Sequence, residues 1–256
     1  DTTSPAYDYV ACVTSTTTRA VLLHGFAQNR NCWGPLAGRL ASERDVLALD
    51  LAGHGTASEV TADLWQSGQL VLDAIGDQPA AVIGYSMGAR VALHAALTRP
   101  EAIDRLVLIS GTAGIDDPNE REQRRVRDEA LAERIEDLGI DAFLDEWLAL
   151  PMFAGLTDET RFLEQRRTNT AAGLASALRH SGTGTQEPLW DRLGELTMPT
   201  LVIVGELDPT YEALGERLVD GIGDSSMFVV VGNSGHSPHL EQPEAVIDLI
   251  TTWAAG

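Results

Sequence analysis

Six short runs of nearly continuous hydrophobicity mark the chain: Ala20 to His24, Val46 to Leu51, Ala80 to Tyr85, Arg105 to Ser110, Thr200 to Gly205 and Met227 to Val231. None alternates apolar with polar positions, so each predicts a strand buried on both faces, as in a parallel sheet. Between them lie longer segments with apolar residues three and four apart, which predict helices over Cys32 to Ala41, Ala62 to Gly76, Met87 to Thr98, Tyr211 to Val219 and Pro243 to Ala254. Strands alternating with helices imply an α/β fold, a mostly parallel sheet with helices on both faces.

The rhythm stops between residues 111 and 192, where helical spacing continues but no strand is evident. Asp116-Asp117-Pro118-Asn119-Glu120 is a helix start, and Ala130, Leu131, Ile135 and Leu138 follow on one face. Further helices are predicted over Ile140 to Leu150, Asp158 to Arg167 and Ala171 to His180, with Gly182-Thr183-Gly184 as the return to the sheet. The predicted organisation is therefore a core of residues 1–110 and 193–256 carrying an inserted helical cap, 111–192.

Charge narrows the partners. The 256 residues include 38 acidic and 18 basic side chains, a formal net charge of −20, which disfavours nucleic acid and anionic membranes. Every basic residue is arginine, whose planar fork suits paired contacts with carboxylates and stays charged when buried. No apolar run reaches 18 residues and no basic-then-apolar leader is evident, so the expectation is a cytoplasmic protein without a membrane span. Cys12 and Cys32 lack disulfide or metal-ligand spacing and are expected as free, apolar side chains.

The chemistry centres on Gly84-Tyr85-Ser86-Met87-Gly88, a G-x-S-x-G directly after a strand and before an alanine-rich helix. In that context it is a nucleophile elbow, which exposes Ser86 at a helix N-terminus. A serine hydroxyl needs a base and the base an orienting carboxylate. Both follow in chain order: Asp208 past the fifth strand, with Glu206 as its competitor, and His236 past the sixth. An oxyanion hole would take its N–H groups from Met87 and from Phe26 in His24-Gly25-Phe26. His54 and His239 are expected in structural roles.

These residues resemble the α/β-hydrolase superfamily over nearly the whole chain. Within the cap region, Ser110-Gly111-Thr112-Ala113-Gly114-Ile115, Glu120-Arg121-Glu122-Gln123-Arg124-Arg125, Asp145-Glu146-Trp147, Leu150-Pro151-Met152-Phe153, Arg167-Thr168-Asn169 and Gly182-Thr183-Gly184 are similar to the 2-succinyl-6-hydroxy-2,4-cyclohexadiene-1-carboxylate (SHCHC) synthase family of menaquinone biosynthesis. The resemblance implies a lyase that eliminates pyruvate from 2-succinyl-5-enolpyruvyl-6-hydroxy-3-cyclohexene-1-carboxylate, with no cofactor and no metal. His236 would deprotonate Ser86, which would take a proton from substrate carbon. It also implies that Arg90, Arg124 and Arg167 bind the tricarboxylate substrate and that Tyr85 and Trp147 line its pocket. Arg121, Arg125, Arg127 and Arg134 are expected on solvated helix faces. After Asp208 the family tends to continue with lysine and phenylalanine; Pro209-Thr210-Tyr211 here changes the expected pocket rim. Two alternatives use the same scaffold: a serine hydrolase of esters, thioesters or carbon–carbon bonds, and a small-molecule receptor without turnover.

Overall fold

The computed structural model describes residues 19–255. Cys12 lies outside them; Cys32 is a buried free thiol. The six strands are β1 (Arg19–Leu23), β2 (Asp45–Leu49), β3 (Ala80–Tyr85), β4 (Ile103–Ile109), β5 (Thr200–Gly205) and β6 (Ser226–Val231). They form one sheet in the order β2-β1-β3-β4-β5-β6, with every neighbouring pair parallel.

Both faces of the central strands β1, β3, β4 and β5 are covered, which is why they read as unbroken apolar runs, whereas the edge strands β2 and β6 are only half-buried and leave Met227 and Val230 exposed. Leu22, Ile83, Val107, Ile109, Leu201 and Ile203 point to one side, where they pack with residues of α1 (Pro35–Ala41) and α9 (Pro243–Ala255). Val21, Val82, Leu106, Leu108 and Val202 point to the other, against α2 (Leu64–Ile75), α3 (Met87–Thr98) and α7 (Pro209–Ile222). Helix starts follow the local chemistry: Asp63 and Gln66 form a reciprocal capping box on α2.

Between β4 and β5 the described chain is helical. Asp117 caps α4 (Pro118–Leu148) by accepting from the Asn119 and Glu120 N–H groups. Gly139, at φ 73°, kinks α4 where the sequence pattern changes register. The helix expected over Asp158 to Arg167 shrinks to α5 (Leu163–Arg166). Thr157 and Thr160 exchange side-chain bonds with each other's N–H groups, and Phe162 takes a left-handed φ of 52°; these local bonds replace a helical turn. α6 (Ala171–Ser181) packs along α4 through Ala132, Ile135, Leu174 and Leu178, with Ala27 of the core beneath them. A short α8 (Pro238–Glu241) lies under Leu148, Phe153 and Leu156 through Leu240. These helices cover the carboxyl ends of the strands, where a doubly wound sheet gathers ligand-binding loops. Among the described residues no helix is long and apolar enough to cross a membrane.

Candidate active site

The turn from β3 into α3 is unusually tight. Ser86 has φ 51° and ψ −107°, sparsely populated for a residue with a side chain, and its N–H is tied to the Ile109 carbonyl at 2.8 Å. Two glycines make the turn possible, because a Cβ on Gly84 would overlap the Gly88 carbonyl and one on Gly88 would overlap the Leu23 carbonyl. Both obstacles are backbone and cannot yield. Gly88→Ala is accordingly expected to cost more than about 4 kcal/mol and to abolish soluble expression. Expression and thermal melting beside the wild type check it, and a wild-type melting temperature would refute it.

Raised by this turn, Ser86 Oγ lies 3.0 Å from His236 Nε2, and His236 Nδ1 lies 2.7 Å from Asp208 Oδ2. The three residues come from the ends of β3, β5 and β6. A neutral imidazole accepting the Ser86 O–H at Nε2 carries its proton on Nδ1 and donates it to Asp208. Glu206 is occupied elsewhere, accepting the Asn233 N–H at 2.9 Å. The Tyr211 ring stands edge-on to the imidazole, with centroids 4.4 Å apart.

Facing Ser86, the loop after β1 is fixed by two buried histidines. His24 Nε2 accepts from Leu51 N–H and His54 Nε2 accepts from Ala27 N–H, so each ring carries its proton on Nδ1, which contacts the carbonyl of Gly25 or Ala52. Burial lowers their pKa values to about 3 and about 4 and keeps both neutral. His54 is thus structural. Within this loop the Phe26 N–H, like the Met87 N–H at the start of α3, has no acceptor among the described residues, and both residues line the cavity at Ser86.

That cavity, of about 460 Å³, is cationic in a strongly anionic protein. Arg90, Arg124, Arg127 and Arg166 reach it, against one carboxylate, Asp128. Arg90 is buried and donates to the Ser181 carbonyl at 2.7 Å; burial lowers it to about 10, which leaves it charged at neutral pH. Arg124 is held by Asp128, which also accepts the Gly184 N–H. Arg166 is only 1% exposed; its Nε and Nη1 donate to the carbonyls of Arg161 and Ala27, and its Nη2 has no partner. Burial lowers its pKa, and no carboxylate compensates its charge. Gln28 Nε2 and Trp147 Nε1, on the same wall, are also buried donors without acceptors. A buried, unpaired cation costs several kcal/mol, so this wall is made for an anion that the protein does not supply. Among the described residues no group of three or more His, Cys, Asp and Glu is placed to hold a metal ion.

Comparison with known proteins agrees with this geometry. Residues 20–249 match the model of the alpha/beta hydrolase family. A Bacillus subtilis protein carrying the provisional name 2-succinyl-6-hydroxy-2,4-cyclohexadiene-1-carboxylate synthase is 36% identical, over 87% of this chain and 85% of its own. The synthase of Serratia proteamaculans is 30% identical over 88% of each. The chain is an α/β hydrolase by fold and a member of the SHCHC synthase family. Among solved structures, MenH from S. aureus superposes with a TM-score of 0.87 at 28% identity, covering 94% of both chains. A thermophilic esterase from Thermogutta terrifontis gives 0.78 at 26%, covering 93% and 89%.

Of the residues singled out in this family member, the structure gathers Ser86, His236 and Asp208 together and places Phe26, Met87, Tyr85, Arg90, Arg124 and Trp147 at the cavity. It does not bring Arg167 there. Arg167 is exposed, paired with Asp141 at 2.8 Å and Glu164 at 2.6 Å, and its neighbour Arg166 enters the cavity wall instead. The left-handed Phe162 sets the phase of the four-residue α5 and turns Arg166, one position earlier, inward. Arg127 is exposed, as expected, but stands at the rim of the cavity. With Arg124, Asp128 and Leu131 it forms an i, i+3, i+4, i+7 face of α4 turned to the cavity, and it has no ion-pair partner among the described residues. Arg121, Arg125 and Arg134 stay at the surface, bonded to loop carbonyls, Glu122 and Glu146 respectively. Tyr211 reaches the cavity, as the change of pocket rim at Pro209-Thr210-Tyr211 implied, whereas Gln28 had no site signal in the sequence.

The arginine assignment is open to a direct kinetic comparison. Arg166→Ala is expected to lower kcat/KM by about 10² to 10³, since it removes the buried cation that has no counter-ion in the cavity wall. Arg167→Ala removes exposed ion pairs and should stay within about twofold. Steady-state kinetics on both variants check this, and the reverse ranking would return Arg167 to the site.

Proposed function

We propose that this protein is an SHCHC synthase, eliminating pyruvate from 2-succinyl-5-enolpyruvyl-6-hydroxy-3-cyclohexene-1-carboxylate. The observation that carries the reading is a hydrogen-bonded Ser86–His236–Asp208 chain opening into a cavity where the buried Arg166 has no protein counter-ion. A substrate with three carboxylates supplies the missing negative charge.

The substrate's connectivity gives each residue a task. The succinyl group joins ring carbon 2 through a ketone, so the C2 hydrogen is α to a carbonyl and acidified by it. Ser86, its proton drawn towards His236 Nε2, takes that hydrogen. The C–H electron pair becomes the C2=C3 bond, the ring π bond shifts to C4=C5, and the C5–O bond to the enolpyruvyl group breaks. Pyruvate leaves as its enolate and acquires a proton, returning the site to its starting state. The Phe26 and Met87 N–H groups face the ketone oxygen, where negative charge develops as C2 is deprotonated. Asp208 stabilises the imidazolium. Arg90, Arg124 and Arg166 hold carboxylates, and Tyr85 and Trp147 shape the wall around the ring. The elimination is redox-neutral and every proton it moves has a protein group to move it, so this reading calls for no cofactor. Residues 111–192 act as a cap over the core of residues 1–110 and 193–256, and the free thiol of Cys32 agrees with work in the cytoplasm.

The triad is also complete for acyl transfer, and the esterase resemblance supports a serine hydrolase as second reading. The deciding assay offers purified protein the enolpyruvyl precursor and a panel of p-nitrophenyl esters in parallel. Fast pyruvate release with negligible ester turnover is expected. Ester turnover without pyruvate would overturn the lyase assignment in favour of the hydrolase, and specific binding without turnover of either would favour a receptor.

A further inference from the structure

The carboxylate of Glu241 bridges the chain on both sides of the histidine. Its Oε2 accepts the Gly235 N–H at 2.7 Å and its Oε1 accepts the Ser237 N–H at 3.0 Å, so the residues on either side of His236 hang from one side chain. Glu241 closes the last turn of α8, and its own N–H donates to the Ser237 carbonyl at 3.0 Å. It makes no hydrogen bond to the imidazole and does not itself line the cavity.

On its other side Glu241 meets the helical segment that covers the site. A Cβ on Gly155 would overlap Glu241 Oε2, so the chain at Gly155 passes directly against this carboxylate. The preceding turn supplies Met152 and Phe153 to the cavity wall and packs on Leu240, the residue before Glu241. One short helix thus carries both the seat of the cap segment and the tether of the histidine loop.

We propose that Glu241 is a positioning residue that holds His236 at its working distance between Ser86 and Asp208, with Gly155 of the cap segment keeping the carboxylate in place. Two charge-assisted bonds from a single rigid anchor fix both the height and the tilt of the peptide bearing the imidazole. Catalysis by a relayed proton depends on that placement, and a misplacement of about 1 Å is enough to cost up to about 100-fold. The inference rests on the catalytic reading of Ser86 and His236, not on the identity of the substrate.

Glu241→Gln tests it at constant volume, because an amide accepts one N–H but turns its NH2 towards the other. The readout independent of substrate is the rate at which an alkyl fluorophosphonate labels Ser86: the serine oxygen bonds to phosphorus, fluoride leaves, and the serine proton passes to His236. Labelling is expected to slow about tenfold or more in Glu241→Gln. In turnover kcat should fall by a similar factor, with KM unchanged, since the arginines are untouched. Gly155→Ala, which crowds the carboxylate from the cap side, should show the same split, while Glu244→Gln, at an exposed position of α9, should match the wild type. Labelling at the wild-type rate in Glu241→Gln would overturn the inference. So would a loss of kcat that only tracks a falling melting temperature. If Glu241→Gln does not fold, Gly155→Ala decides by the same two rates. Wild-type labelling without pyruvate release would refute the synthase reading and leave the positioning role standing; absence of both would overturn the two together.

Discussion

Ser86→Ala is expected to lower kcat by about 10⁴ or more while leaving the substrate dissociation constant within a few-fold of wild type. On the proposed mechanism the hydroxyl takes part in moving the proton, whereas the arginine-lined wall proposed to hold the carboxylates does not depend on it. His236→Ala should cost about as much, and the double variant little more than either single one, because one relay is broken in each case. Asp208→Asn is the more instructive change. An asparagine can turn its NH2 towards His236 Nδ1, which stabilises the tautomer protonated on Nε2, and that nitrogen can no longer accept from Ser86 across their 3.0 Å contact. Single-turnover pyruvate release together with equilibrium binding separates the steps. A Ser86→Ala enzyme keeping a tenth of wild-type kcat would show that another group removes the substrate proton.

The parts of this site that were legible in the sequence are those where backbone geometry dictates residue type. Only glycine fits at positions 84 and 88, where neighbouring carbonyls occupy the space of a Cβ, so the elbow announces itself. Strands buried on both faces leave uninterrupted apolar runs, which located β3 and β5; the edge strand β6 keeps such a run although Met227 and Val230 are exposed, and the proposed catalytic groups lie past the ends of these three. The arginines obey no such rule. Two adjacent arginines at 166 and 167 differ by about 100° around a helix, and a four-residue helix has no periodicity from which to read its phase. A left-handed Phe162 sets it, and nothing in an aromatic side chain advertises that conformation. That the exposed Arg127 borders the cavity was not legible, because every third or fourth position of a long charged helix looks alike until the helix is docked. Glu241 was silent for another reason: its bonds are to main-chain N–H groups, which every residue has.

Acid should unfold this protein early, and the cause is the set of histidines on which the fold rests. His24, His54, His94 and His239 are all buried. Burial depresses His24 and His239 to about 3 and His54 and His94 to about 4. His24 and His54 accept main-chain N–H groups at Nε2, so a proton there would break the loop that presents Phe26. His239 stacks against Tyr85 and Trp33 with neither ring nitrogen partnered. Folding thus holds the four rings neutral, whereas in the unfolded chain they protonate below about pH 6.5. The unfolded state binds more protons over that interval, so stability is full above pH 6.5 and falls as pH drops towards the folded values. Each ring contributes up to about 1.4 kcal/mol per pH unit, a slope reached only below pH 6.5, so the four together remove roughly 6 kcal/mol between pH 6.5 and pH 5, a large part of the stability of an ordinary domain. Urea unfolding at pH 7 and pH 5 measures it as a shift of the midpoint. His94→Gln, which can still donate to the Arg90 carbonyl as His94 Nδ1 does at 2.7 Å, should reduce the pH slope by about a quarter. A midpoint unchanged between the two pH values would mean that the buried rings take up protons without unfolding the chain.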